Sequence, residues 1–146
     1  MKIHAVCAVM LLAGAVAFAQ DADRGKLYGA WQAQEQGSDA GVWTIQEQGS
    51  GLHLTNSQGD RKIAEIVCDL GKECEVKDAG KKVKITMYFN GPKLVIMETR
   101  GEEVLKRRFG IAEKEDVLEL ENIPISPSGK TETIRFTRAA ATTAVK

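Results

Sequence analysis

Residues able to do chemistry are few in this chain, and their spacing does not suit catalysis. There are two histidines, His4 and His53. His4 sits in an apolar leader described below, so His53 alone serves the body of the protein. Zinc sites draw on several His or Cys ligands, so neither a metal nor a cofactor is expected. A Ser-His-Asp arrangement needs only one histidine. His53, however, lies between Leu52 and Leu54 on an alternating run that turns it toward solvent. Carboxylates are plentiful: Glu102, Glu103, Glu113, Glu115, Asp116, Glu119 and Glu121. They fall near turns or alternate with apolar residues, as a solvated face does. No glycine-rich phosphate loop opens a helix. These features together point to a protein that is not an enzyme.

Arg107 carries more information. Leu105, Arg107 and Phe109 share one face of an alternating run. If that face points inward, the guanidinium needs an anion. Either a ligand headgroup such as that of a fatty acid supplies it, or a core carboxylate such as Glu98 does. A third reading turns the strand outward near its end. Buried charges are most often paired within the protein. Trp43, Met87, Phe89 and Arg107 are the candidate ligand-binding set, and ordinary core packing is the competing reading for each.

Cysteine usage depends on the leader. Lys2 and His4 precede an apolar run from Ala5 to Ala19, and Ala17-Phe18-Ala19 has the small-x-small pattern of a signal-peptidase site. Residues 1–19 therefore read as a cleaved signal peptide, with cleavage before Gln20 and a periplasmic or secreted destination. An uncleaved anchor is the alternative, but the run is shorter than the ~20 residues of a spanning helix. Cys7 lies at the start of the run, where a lipid-modified cysteine does not belong. Two cysteines remain, Cys68 and Cys74, with Gly71 between them. In an oxidising compartment such a pair reads as a disulfide clipping a hairpin or tight loop. So small a closed loop is worth about 2–2.5 kcal/mol. Catalytic dithiols usually have a shorter spacing at the start of a helix.

The elements that must position these residues are short alternating runs between glycine-bearing turns, the pattern of an all-β barrel or sandwich. Val83, Ile85, Met87 and Phe89 alternate with Lys82, Lys84, Thr86 and Tyr88. Asn90-Gly91 then predicts a hairpin, because both residues tolerate positive φ. Eight to ten strands are expected. They include Tyr28 to Gln34, Val42 to Gln48, Leu52 to Asn56, Lys62 to Cys68, Lys93 to Thr99, Glu103 to Ile111, Val117 to Glu121 and Thr131 to Arg138. Ile123 to Lys130 reads as a proline-punctuated connection, and residues 139–146 as a loose tail. Residues 20–138 are thus one domain. Tight sequential turns favour an antiparallel up-and-down β-barrel, with a β-sandwich as the alternative.

Charge sets further bounds. Removing residues 1–19 takes one basic and no acidic residue from a balance of 20 and 20. A near-neutral domain lacks the basic excess that captures nucleic acid or anionic membranes. Leu94-Val95-Ile96-Met97 is apolar on both faces. Its outer side is covered by the chain itself, docks a partner, or adds to a cavity-facing surface.

Gly29-Ala30-Trp31, opening the first strand of an exported β domain, resembles the Gly-x-Trp signature of lipocalins. The resemblance implies that Trp31 plugs one barrel end and that an arginine of the last strand, Arg135 or Arg138, packs across it. The chain lacks that family's Thr-Asp-Tyr motif and C-terminal helix pattern. A second resemblance spans nearly the whole mature chain. Trp-Thr-Ile, Cys-x5-Cys-Glu-Val, Tyr-Phe-Asn-Gly-Pro-Lys-Leu-Val, Lys-Arg-Arg-Phe and Pro-x-Gly-Lys-Thr-Glu-Thr, in that order, look like small exported proteins of soil bacteria such as acidobacteria. That likeness supports an exported β domain and carries no mechanism. The leading expectation is a lipocalin-like, non-enzymatic binder of a small apolar or amphipathic ligand. The alternative is a protein-interaction module of the cell envelope using the Leu94–Met97 strand.

Overall fold

A computed structural model describes residues 23–35, 39–112 and 116–139. The expected signal peptide lies outside the described residues, as does all of the tail beyond Ala139.

Ten strands follow one another: β1 (Gly29–Ala33), β2 (Val42–Gln48), β3 (Gly51–Gln58), β4 (Arg61–Asp69), β5 (Glu73–Asp78), β6 (Lys81–Asn90), β7 (Lys93–Arg100), β8 (Glu103–Ile111), β9 (Val117–Ser126) and β10 (Glu132–Arg138). They form a single sheet in the order β4-β3-β2-β1-β10-β9-β8-β7-β6-β5. Every ladder is antiparallel, and β1 pairs with β10, so the first and last strands are joined. One sheet of this order makes an up-and-down barrel and excludes the sandwich.

The barrel closes everywhere except between β4 and β5, the two ends of the sheet order. The Cys68–Cys74 disulfide spans that seam, with the two Cα atoms 5.9 Å apart. Of the two settings expected for it, a hairpin or a tight loop, the fold gives the tight loop: β4 and β5 are consecutive but share no ladder. The turn between them is held instead by Gly71 N, which donates to Met87 O at 2.8 Å.

Alternation along the strands divides inside from outside. In β6, Val83, Ile85 and Met87 are buried, while Lys82 and Lys84 are exposed. The hairpin expected at Asn90-Gly91 turns one residue later: Asn90 ends β6 opposite Lys93, and Gly91, at φ 60°, and Pro92 make the turn. The interior packs Trp31, Ile45, Leu54, Ile85, Met87, Ile96, Phe109, Leu118 and Phe136 into one core. Truncating a large member of such a core typically costs about 3–5 kcal/mol.

The proline-punctuated connection is also revised. β9 runs on to Ser126, with Pro124 opposite Leu105. A register shift between Val104 and Leu105 accompanies it. Proline cannot donate to a ladder, and the extra residue of the bulge, Ile125, lies beside Pro124 on β9 itself.

Candidate functional site

The two barrel ends differ in chemistry. At one end a helical turn at residues 23–25 leads into β1 and drops Leu27 into the barrel, fully buried. Trp31 is fully buried behind it, and its indole N–H donates to Leu27 O at 2.8 Å. The Arg138 guanidinium lies 4.1 Å from the centre of the Trp31 ring. It also donates to the carbonyls of Tyr28 (2.6 Å) and Lys26 (2.7 Å) and pairs with Asp116. Gly29 has φ 127°, and a Cβ there would stand 2.7 Å from Arg138 Nη1. Glycine is therefore required two residues before the tryptophan. Of the two candidate arginines, Arg138 stacks on Trp31. Arg135 points outward and pairs with Glu119 at 3.0 Å. Arg24 covers Phe89 at 4.7 Å and donates to Gly91 O, adding to the plug.

The opposite end carries the β1–β2, β3–β4, β5–β6, β7–β8 and β9–β10 connections, and here the interior turns polar. Register places Ile96 opposite Arg107, and Arg107 opposite Asn122. Arg107 therefore faces inward. Its Nε lies 3.2 Å from Oε1 of Glu98, the one buried charged residue among those described, at 5% exposed. The pair is close but poorly aligned, and the Arg107 Nε–H finds no hydrogen-bond acceptor. The guanidinium also stands 5.5 Å from the Trp43 ring, which meets Phe109 edge-on at 5.3 Å. Two further inward oxygens, Asn56 Oδ1 and Asn122 Oδ1, are buried without a partner among the described residues. Asn56 is the register partner of Trp43. Buried polar atoms are seldom left unmatched unless water, an ion or a ligand completes them.

Two clefts reach this cluster. One, of about 220 Å³, opens at the β4–β5 seam between Ile66, Val76, Val83 and Ile85, with Glu98 and Arg100 at its base. The other, of about 310 Å³, is walled by Leu105, Pro124 and Pro127 and contains Glu98, Arg100 and Arg107. Glu98 and Arg100 belong to both. At the rim Arg100 pairs with Asp78 at 2.5 Å. Charges and apolar walls together can hold a small amphipathic molecule. No group of three metal-ligating side chains occurs among the described residues.

Of the ligand-binding set read from sequence, the fold brings Trp43 and Arg107 together. Only Arg107 of the four lines a cleft: Trp43 and Met87 are packed in the core, and Phe89 lies under Arg24 at the plugged end. Sequence reasoning missed Asn56, Asn122 and Arg100. The signal for the two asparagines was available, since each is a polar residue in phase with an inward apolar series. His53 stands on the outer face, with Nε2 3.1 Å from Glu65. Hydrogen bonds from Lys62 and His53 hold the Glu65 carboxyl below its ordinary range. In Leu94–Met97, Leu94 and Ile96 belong to the core, and Val95 is buried on the outer face between its register partners Tyr88 and Arg108. Arg108 is in turn bound to Glu121, whose carboxyl is lowered by that hydrogen bond.

No protein-family model matches the chain, and no curated protein matches it either. Solved structures do. A secretory abundant heat soluble protein of Ramazzottius varieornatus superposes with a TM-score of 0.68 at 14% identity, covering 78% of this chain and 96% of that one. Human cRBP IV gives a TM-score of 0.61 at 17% identity, covering 77% and 98%. The REP1-NXSQ fatty acid transporter gives 0.60 at 14% identity, covering 80% and 98%. All are lipocalin-like or fatty-acid-binding-protein-like β-barrels, and at these identities the likeness establishes that fold.

Proposed function

We propose that this protein is an exported, non-enzymatic binder of a small amphipathic molecule, held at the open barrel end with its polar head against Arg107, Glu98 and Trp43. One observation carries the reading. The Glu98–Arg107 pair, its guanidinium Nε–H unmatched among the described residues, sits beside an indole, with Glu98 on both clefts and Arg107 on the second. A filled barrel serving only as a scaffold has no use for a buried ion pair, which seldom stabilises relative to apolar packing. One similar barrel is a fatty acid transporter, which supports ligand chemistry of this kind.

Export rests on the leader sequence and the two-cysteine count, and the disulfide is compatible with an oxidising compartment. The resemblance to small exported proteins of soil bacteria supports a periplasmic or secreted location.

Native mass spectrometry of protein purified gently from a bacterial periplasm tests both parts. The polypeptide mass should equal the chain without residues 1–19 and two hydrogens, and an added mass should disappear on denaturation. A bare mass, with no uptake from a lipid extract added in excess, would contradict the binding reading. A mass retaining residues 1–19 would contradict cleavage.

A further inference from the structure

We infer that the ligand head is uncharged and both donates and accepts hydrogen bonds, as a primary amide or a polyol does, rather than being a carboxylate. This rests on the proposed binding site and specifies its chemistry. Arg107 alone, read from the sequence, suits a fatty acid head. In the fold its charge is already balanced by Glu98, whose side chain is 94% out of solvent. Arg100, the other cation on the second cleft, is balanced by Asp78. Glu103, also on the second cleft, adds a negative charge at the rim. A ligand carboxylate would therefore bring an unbalanced anion next to a buried one. Like charges at short range in a poorly solvated site are strongly disfavoured.

The unmatched atoms agree with the charge count. Among the described residues they are one donor, Arg107 Nε–H on the second cleft, and two acceptors behind its walls, Asn56 Oδ1 and Asn122 Oδ1. Asn122 is the register partner of Arg107, and Asn56 that of Trp43, whose ring faces the guanidinium. A carboxylate satisfies the one donor and leaves both acceptors unmet. A primary amide has two N–H donors and one carbonyl acceptor, the complement of this set. The second cleft, at about 310 Å³, is at the lower end of the ~300–1,000 Å³ typical of ligand sites. That suits a short alkyl chain lying against Leu105, Pro124 and Pro127.

The test is calorimetric titration of the disulfide-bonded mature protein at neutral pH with octanamide, octanoate and octylammonium, each below its micelle-forming concentration. Octanamide should bind at least tenfold tighter than either charged ligand. Octanoate binding as tightly as octanamide would overturn the inference and leave the binding site standing. Octylammonium binding tightest would likewise overturn it. No heat with any of the three would contradict the binding site itself. The Glu98→Gln variant, checked for folding by circular dichroism, removes the competing anion and should narrow the octanamide-to-octanoate preference at least tenfold. An unchanged preference in the folded variant would refute the charge argument. The wild-type comparison decides the matter alone if that variant does not fold.

Discussion

Removing either partner of the Glu98–Arg107 pair should destabilise the barrel, and the two losses should be unequal. At 3.2 Å and an effective dielectric of ~20, the attraction between unit charges is about 5 kcal/mol. Much of this is offset by the cost of taking both groups out of water. Deleting one partner leaves the other buried and unpaired, a loss of about 3–5 kcal/mol for a fully buried pair. The Arg107 side chain is 21% exposed and Glu98 6%. Glu98→Gln therefore leaves a guanidinium with some access to solvent, and a loss of about 2 kcal/mol is expected. Arg107→Met strands the more buried carboxylate and should cost about 3–4 kcal/mol. The double variant should be less destabilised than the sum of the singles by at least about 2 kcal/mol, because contacting residues couple. Urea denaturation followed by tryptophan fluorescence reads this out as a shift in midpoint at constant slope. Additive losses, or a larger loss in Glu98→Gln than in Arg107→Met, would refute the assignment of the pair as buried and coupled.

Three other outcomes follow from the same geometry. Arg138→Lys keeps the charge but gives up the two-pronged hold on the Tyr28 and Lys26 carbonyls. About 1–2 kcal/mol of stability should go with it, visible in urea melts. Glu121 has a lowered carboxyl pKa because Arg108 binds it, so its stabilisation is present above the unfolded carboxyl range near ~4.3 and fades as pH falls through the lowered value. Glu121→Gln should therefore cost up to about 1 kcal/mol at neutral pH and almost nothing in strong acid, a trend that urea midpoints across pH would reveal. Replacing Cys68 and Cys74 together with serine should lower stability by about 2–2.5 kcal/mol relative to the oxidised protein. Reducing agent should shift the melting temperature of the parent but not of the double variant.

Much of the fold was legible because alternation and turn chemistry are local. Val83, Ile85 and Met87 point inward as their period-two spacing predicts, and the Asn90-Gly91 signal marks the hairpin, although Gly91-Pro92 makes the turn and Gly91 alone of Asn90 and Gly91 has positive φ. Pro124 hid the true length of β9, since a proline-rich segment reads as a loop. The bulge residue is Ile125, next to the proline on β9, and a lone apolar residue between Pro124 and Pro127 gives no sign that the strand continues around it. The seam escaped notice for a related reason. Whether two consecutive strands pair is decided by closure of the whole barrel, not by the Cys68–Cys74 loop. At the candidate site, alternation put Arg107 on one face with Leu105 and Phe109, left open whether that face points inward, and offered Glu98 as a possible partner. Bringing Trp43 to the same point requires the barrel to curl until β2 faces β8, a distance relation that alternation alone does not encode. The same curl leaves Phe89 at the plugged end beneath Arg24.

The two tryptophans supply the most direct test of where a ligand binds, because each reports on one barrel end. Trp43 is buried beside Arg107, which lines the second cleft, and Trp31 is sealed under Arg138 at the far end. Their indole N–H resonances would be followed in nitrogen-15 correlation spectra of the labelled mature protein during titration with octanamide. The account predicts a progressive, saturable shift of the Trp43 signal with Trp31 unmoved. A shift of Trp31 alone, or no shift of either at saturating octanamide, would contradict it.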